Sequence, residues 1–526
     1  MTAPEHHHET SAADGGHAPV GWLRRHRALI VICLLFAGLR LPVAWRQVPA
    51  QDEEYFVVPG LTILRDGVPR IPYMPSRNPR GAFYKADELL FTLPPLYFYC
   101  EAVVYQCIGA STGAARFVSM LCAIGAIVVV HRLARLLFHD ESSALWSAGL
   151  YAASRAIYFP AMVARPDMLC GLLGLGALLA CTRWTESRRR ILLIAAGALI
   201  GAAGLTHPFA LVPAIQVTAW TLIASRGWSN RLRNVGTLAA AVLLVFLLWV
   251  PLIAVNPEAF QSQFYNAVLN QSGPGLVSRL ILPYRSLLVQ APIFLEHVGL
   301  SQAVLMIGAT AAAAVLAARL PDEGLRTGAV LACTGLYLHV ACVGGHPTRG
   351  YWCYTGALMF LCVGGLLSQL RCGLVAAVPP GMRAPRPRSR AQLRTLFLAA
   401  AIMLPGAGLR TIAAHLRHWN DINYDAPRFT RELMAAVPAD ARLVVDPKYV
   451  FDLYRDGRHV TLAMDYDFFF SVRGTEYDFV VAGPYSIRDG IPATLGAKFV
   501  KAYGDQDDLF SCYAEIYTSP EEVPRR

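Results

Sequence analysis

Eleven apolar runs interrupt this chain, at 28–45, 114–137, 142–162, 167–184, 191–206, 209–225, 235–255, 299–318, 327–344, 351–370 and 395–413. A helix needs roughly 17–25 mostly apolar residues to cross a bilayer. In hydrocarbon an open chain must also satisfy its own backbone polar groups, which a helix does. Charged residues make up 16% of the 526 positions, against about 25% in an ordinary globular protein, and the mean hydropathy is +0.40. A soluble enzyme, a fibrous chain and a disordered chain are excluded. The predicted fold class is mainly α: a polytopic membrane protein with about eleven transmembrane helices. Only Val48-Pro49-Ala50 faintly resembles a signal cleavage site, so the first run is expected to stay as a helix.

The net charge of +11 is carried almost wholly by arginine. Arg24, Arg25 and Arg27, then Arg188, Arg189 and Arg190, then Arg383, Arg386, Arg388 and Arg390 punctuate the apolar runs. Basic clusters between spans mark the cytoplasmic side, so this charge reports topology and no nucleic-acid partner is expected. The stretches 132–140, 183–190, 226–233, 319–326 and 371–394 are expected inside, and 160–166, 206–208 and 345–350 outside. With the N-terminus inside, an odd number of spans leaves the C-terminus outside. The twelve cysteines form no C-x-x-C and lie mostly in apolar runs, where they read as small buried hydrophobes. His6, His7 and His8 read as part of a solvated tail.

The expected organisation is a cytoplasmic tail over 1–27, a transmembrane domain over 28–413 and a small extracytoplasmic α/β domain over 414–526. The transmembrane domain carries two long outer segments, 46–113 and 256–298, of which the first is too long for a turn. Pro94–Gly109 reads as a helix lying along the interface. In the last domain Arg428–Val437 and Lys448–Arg455 read as helices. Arg442–Val445, His459–Met464, Tyr477–Ala482 and Phe510–Tyr517 read as strands.

Candidate chemistry gathers at the outer ends of the spans. Asp52-Glu53-Glu54 opens the first outer loop; a carboxylate there could serve as a general base, or simply face water. Asp167 after Arg165-Pro166 fits a helix N-terminus, and it equally fits the border of a polar cavity. Arg165, His207 and Arg349 come from three separate turns and would form an anion site if the helices bring them together. Gly109-Ala110-Ser111-Thr112-Gly113 matches G-x-S-x-G but joins two apolar helices, where a nucleophile elbow needs a preceding strand. Asp465-Tyr466-Asp467 and Asp505-Gln506-Asp507 match a bare D-x-D and read as loops. Asn270-Gln271-Ser272 is a single glycosylation sequon.

Taken in order, Asp52-Glu53, Pro94-Pro95-Leu96-Tyr97-Phe98, Ala115-Arg116-Phe117, Ala164-Arg165-Pro166-Asp167, Gly204-Leu205-Thr206-His207-Pro208 and Arg349-x-Tyr351 resemble the GT-C glycosyltransferases that use polyprenyl-phosphate sugars. The resemblance is to the bacterial protein O-mannosyltransferase and lipid A aminoarabinose transferase group. It is strongest over 25–225 and looser to about 370. It implies Asp52 as the catalytic base with Glu53 as its neighbour, Asp167 as a second acidic residue at the cavity, and Arg349 with Tyr351 near the donor phosphate. His207 stands where relatives carry a basic residue. Leu93 replaces the Lys or His that relatives carry before Pro-Pro, which leaves Lys85 as the substitute, and no match to the family's zinc ligands is found.

The expected function is transfer of a sugar from a polyprenyl-phosphate donor to an extracytoplasmic glycan, lipid or protein, by a single inverting displacement. Arg and His donors would meet the charge of the leaving phosphate without a cofactor or metal. Arginine in place of lysine fits a GC-rich bacterial genome, hence a plasma membrane. The alternatives are a transporter or lipid flippase, and a non-catalytic assembly protein of the cell envelope.

Overall fold

The computed structural model describes residues 18–50, 52–270, 275–343, 349–376 and 397–520. The histidines of the tail, the sequon at 270–272 beyond Asn270 and the loop 379–390 lie outside these residues. Among the described residues, seven helices are long and apolar enough to cross a membrane, making this a multi-pass membrane protein.

Four of the eleven predicted runs take other forms. The run 142–162 divides into Glu141–Ala153 and Arg155–Met162. Ser154 between them is extended and its hydroxyl donates to the Tyr151 carbonyl at 2.8 Å, competing with the helix for that acceptor. The runs at 191–206 and 209–225 become helices shorter than a full span, Arg190–Gly204 and Leu211–Ala224. The last run bends by 69° between Phe397–Gly406 and Leu409–Arg417. Pro405 and Gly406 sit at that break, and Gly408 takes a φ of +76°, with the Tyr158 ring where a side chain would stand. The break leaves carbonyls to satisfy. Arg40, buried within the first span, donates to Ala407 O at 3.3 Å and to Ala152 O at 3.4 Å, and Gln302 donates to Met403 O at 3.1 Å.

Small residues set the closest helix contacts. A Cβ on Gly197 would lie 2.5 Å from the Leu238 carbonyl oxygen, and one on Gly201 2.7 Å from that of Val242. This Gly-x-x-x-Gly face lets Arg190–Gly204 meet Trp228–Phe246 backbone to backbone, the packing expected where lipid removes the hydrophobic drive between helices. Ser111 caps the helix Thr112–Phe138, its hydroxyl accepting from Ala114 N at 3.1 Å, so the G-x-S-x-G match is a helix cap.

The C-terminal region is an α/β domain. Its strands are β1 (Arg442–Val445), β2 (His459–Leu462), β3 (Asp465–Tyr466), β4 (Phe470–Ser471), β5 (Phe479–Ala482), β6 (Lys498–Gly504) and β7 (Tyr513–Thr518). The main sheet has the order β2-β1-β5-β7-β6, parallel across its first three strands and antiparallel across the rest. Leu443, Val444 and Val445 are all buried, as in a strand covered on both faces. The two-residue strands β3 and β4, the first in a stretch expected to be a loop, have no counterpart among the predicted strands, and neither does β6. Strand β6 is an edge strand, mostly exposed, with Lys498, Lys501 and a register irregularity near Phe499, so it lacks the alternation that marks a half-buried strand. Asp465 of the first D-x-D is engaged by Arg473 and Ser471. The domain packs on the first loop: Leu462 N donates to Tyr73 O at 2.9 Å, and the Tyr73 and Tyr454 rings lie 5.7 Å apart. One continuous core therefore joins the helices to the sheet.

Candidate active site

The three adjacent carboxylates of the first loop have three different environments. Glu53 is 1% exposed and turned into the bundle, where its Oε1 accepts from Arg116 Nε at 2.8 Å and from Ala164 N at 2.7 Å. Its Oε2 accepts from Ala50 N at 2.7 Å and from the Arg116 terminal nitrogen. Arg116 also donates to Ala44 O, Gln47 O and Val48 O at 2.8, 2.8 and 3.1 Å, so this buried pair ties the loop to two spans. Glu54 is fully buried, and burial first, then the Asp52 charge, hold its carboxyl well above the usual carboxylate range. Asp52 alone reaches open space, its side chain 38% exposed. Its φ of +78° is a left-handed conformation that Asp tolerates better than most residues. Backbone strain of this kind clusters at functional sites.

Asp52 is paired with Arg165, whose Nε donates to Asp167 Oδ2 at 2.7 Å. Burial pulls the Arg165 guanidinium down, but Asp167 and then Asp52 outweigh it, so the group stays charged. Asp167 is the first residue of the helix Asp167–Ser187, and its carboxylate turns to Arg165. It lies behind Arg165 and does not line the cavity described below. A Cβ on Gly350 would collide with it, so Asp167 packs directly against the turn that carries Tyr351.

His207 is not a cation here. Its Nδ1 accepts from Phe209 N at 3.0 Å, which puts the ring proton on Nε2, 3.4 Å from the Tyr351 hydroxyl. Burial pushes the imidazole down to about 4; Asp167 opposes the fall and Arg165 adds to it. The unfolded side chain has a pKa of about 6.5. Below that value the unfolded chain takes up a proton that the folded one refuses. The stability from neutral His207 is thus complete above pH 6.5 and lost as the pH falls through about 4. His207→Gln is expected to flatten the decline in thermal unfolding temperature between about pH 7 and 4.5. Equal slopes in the two proteins would show that this histidine titrates normally.

These groups share one cavity of about 420 Å³. Asp52, Arg165, His207, Tyr351, Thr92 and Arg279 supply its polar lining, and Leu93, Leu211, Val268, Leu269, Leu276 and Val343 supply much of the apolar part. The Tyr351 ring is stacked on Phe209, 5.4 Å away and 10° from parallel. The backbone of Arg349 lies in the turn Arg349–Tyr351; its side chain is outside the described part. Lys85 is not in the lining. It pairs with Glu258 at 3.1 Å, and Tyr84 donates to the same carboxylate at 2.9 Å. The structure therefore brings Asp52, Arg165, His207 and Tyr351 together, sets Asp167 behind them, and leaves Glu53 and Lys85 with other partners. Arg279 is the cation that sequence reasoning passed over. Its only signal was one arginine in the apolar stretch Leu276–Ile281 of the second long segment. Among the described residues no three His, Cys, Asp or Glu side chains gather into a metal-binding group.

Residues 92–254 match the family described as "Dolichyl-phosphate-mannose-protein mannosyltransferase". The structure superposes on apo ArnT from Cupriavidus metallidurans with a TM-score of 0.58 at 16% identity, over 95% of this chain and 98% of that one. With the same enzyme bound to undecaprenyl phosphate the TM-score is 0.54 at 17% identity, over the same shares of 95% and 98%. The archaeal oligosaccharyltransferase AglB from Archaeoglobus fulgidus, in complex with an inhibitory peptide and a dolichol-phosphate, gives 0.52 at 11% identity, over 96% of this chain and 76% of that one. The fold is that of the GT-C glycosyltransferases. No curated protein matches the chain by sequence. The family segment holds Arg116, Arg165, Asp167 and His207, whereas Asp52, Arg279 and Tyr351 lie outside it. The GT-C fold thus joins residues from inside and outside the recognisable segment at one cavity.

Proposed function

We propose that this chain transfers a sugar from a polyprenyl-phosphate donor to a hydroxyl acceptor on the outer side of a bacterial plasma membrane. The single observation that carries the reading is the cavity itself. It joins one accessible carboxylate, Asp52, to the guanidinium groups of Arg165 and Arg279 and to an apolar wall. The acceptor oxygen attacks the anomeric carbon as its proton passes to an Asp52 oxygen. The bond from that carbon to the phosphate oxygen breaks, with its electron pair leaving on the phosphate. One displacement of this kind inverts the anomeric centre.

In this reading Arg279 and Tyr351, with Arg349 beside Tyr351 in the chain, receive the phosphate, and charge-assisted hydrogen bonds from guanidinium take the part a divalent cation plays elsewhere. Asp167 and Arg165 orient Asp52. Val268, Leu269 and Leu276 suit the hydrocarbon of the donor. The lipid phosphates bound to ArnT and AglB support the donor class, and the peptide bound to AglB supports an acceptor site beside it. The basic clusters support a cytoplasmic N-terminus and an outer C-terminal domain. The fold and the family segment favour this reading over a transporter, a flippase or an assembly protein.

Deleting the gene tests it, with mass spectrometry of envelope glycans, lipids and glycoproteins. One sugar residue is expected to vanish while its polyprenyl-phosphate form accumulates, and the wild-type gene should reverse both. An unchanged profile would sink the proposal.

A further inference from the structure

One hairpin of the C-terminal domain, β3 and β4, contributes to the wall of the cavity. Phe469, in its turn, lines the cavity directly. The Phe469 ring lies 5.5 Å from Phe83 and 6.2 Å from Tyr55, and those two rings stack at 4.7 Å. On its other side Tyr466 stands perpendicular to Phe469 at 5.2 Å. Aromatic rings therefore continue from Tyr55, three positions after Asp52, out to Tyr466, which is 57% exposed. The hairpin is fixed to the first loop. Ala82 N donates to Phe468 O at 2.8 Å, Asn78 Nδ2 donates to Asp467 O at 2.9 Å, and a Cβ on Gly81 would sit 3.0 Å from the Phe468 oxygen.

Those bonds occupy two carbonyls of the turn, and Phe469 N donates to Tyr466 O at 2.8 Å, so an extended peptide would find little free main chain there. What the hairpin presents is ring faces, with the exposed carboxylate of Asp467 beside Tyr466. The electron-rich face of an aromatic ring attracts the polarised C–H bonds on one side of a pyranose, and a carboxylate accepts hydrogen bonds from neighbouring hydroxyls. The aliphatic side chains that line the cavity all come from outside the C-terminal domain, so an acyl chain has a better surface elsewhere.

Resting on the glycosyltransferase reading above, the geometry points to Tyr466 and Phe469 as a subsite for the saccharide of the acceptor, with Asp467 receiving its hydroxyls. The acceptor is then a glycan that approaches over the C-terminal domain, and the attacking hydroxyl is delivered to Asp52 along the row of rings. The small domain is thereby part of the active site and selects what is glycosylated.

The test uses the full-length protein in lipid nanodiscs, offered to an array of defined bacterial oligosaccharides and of Ser/Thr peptides. Binding of undecaprenyl phosphate is measured on the same preparations by native mass spectrometry. Wild type is expected to retain one or more oligosaccharides, and Phe469→Ala and Tyr466→Ala each to weaken that binding by about tenfold. Tyr466→Ala changes an exposed side chain, so its folding is safe, and its binding of undecaprenyl phosphate should equal that of wild type. No oligosaccharide bound, equal binding by Tyr466→Ala, or retention of peptides alone would overturn the inference. Failure of wild type to bind undecaprenyl phosphate would overturn the donor reading instead.

Discussion

Asp52→Asn is expected to slow sugar transfer by about 10²–10⁴-fold, the range removed with a general base, while the protein inserts and unfolds as wild type does. The substitution is unusually clean at this position. Asn accepts a positive φ as readily as Asp, so the left-handed turn at +78° survives. Its amide oxygen can still accept from Arg165, and Arg165 keeps its bond to Asp167. Only the proton-accepting carboxylate is lost. Asp52→Ala would also disturb the turn and confuse the two effects. Transfer from a polyprenyl-phosphate sugar should be followed in proteoliposomes in a single turnover, beside a thermal unfolding curve. Turnover at the wild-type rate would remove Asp52 from the mechanism.

Glu53→Gln is expected to act in the opposite way, on stability first. The substitution leaves the Arg116 guanidinium, 1% exposed, without its counter-ion. Removing one partner of a buried pair costs about 3–5 kcal/mol. The carbonyls of Ala44, Gln47 and Val48 remain as acceptors and should hold the loss to the lower part of that range. The measurement is thermal unfolding in detergent together with turnover per folded molecule. A large fall in unfolding temperature, with part of the turnover kept, is the expected result. Unchanged unfolding with turnover abolished would make Glu53 a catalytic group in its own right. Replacing both partners with methionine should recover much of the stability, since two well-packed apolar groups leave no charge stranded.

The two carboxylates are neighbours in the chain; the family resemblance pointed to Asp52 as the base, but the chemistry of the residues alone did not tell them apart. What separates them is Arg116, 63 positions away, which meets Glu53 only after the first and second spans pack. Asp167 is a similar case. Its place after a proline at a helix start fitted a cap and a cavity border equally, and its carboxylate pairs with Arg165 behind the cavity. His207 lay in the right turn, but protein burial makes it neutral, and burial belongs to the fold and not to the residue. Lys85 was the natural substitute for a missing cation near Pro94-Pro95, but Glu258 engages it from a segment more than 170 positions on.

By itself the sequence determined the membrane class, the order of the helices, most strands of the C-terminal domain and the turns in which polar groups collect. These are properties of one dimension: apolar length against bilayer thickness, charge placement at the ends of spans, and alternation in strands. The edge strand β6 escaped because it buries too little to alternate. The tertiary structure alone decided which carboxylate stays accessible, brought Arg279 to the cavity and set Phe469 more than 400 positions from Asp52 on the same wall. Those contacts come from how helices, loop and sheet pack around one void, and side-chain environment is created by neighbours that are distant in the chain.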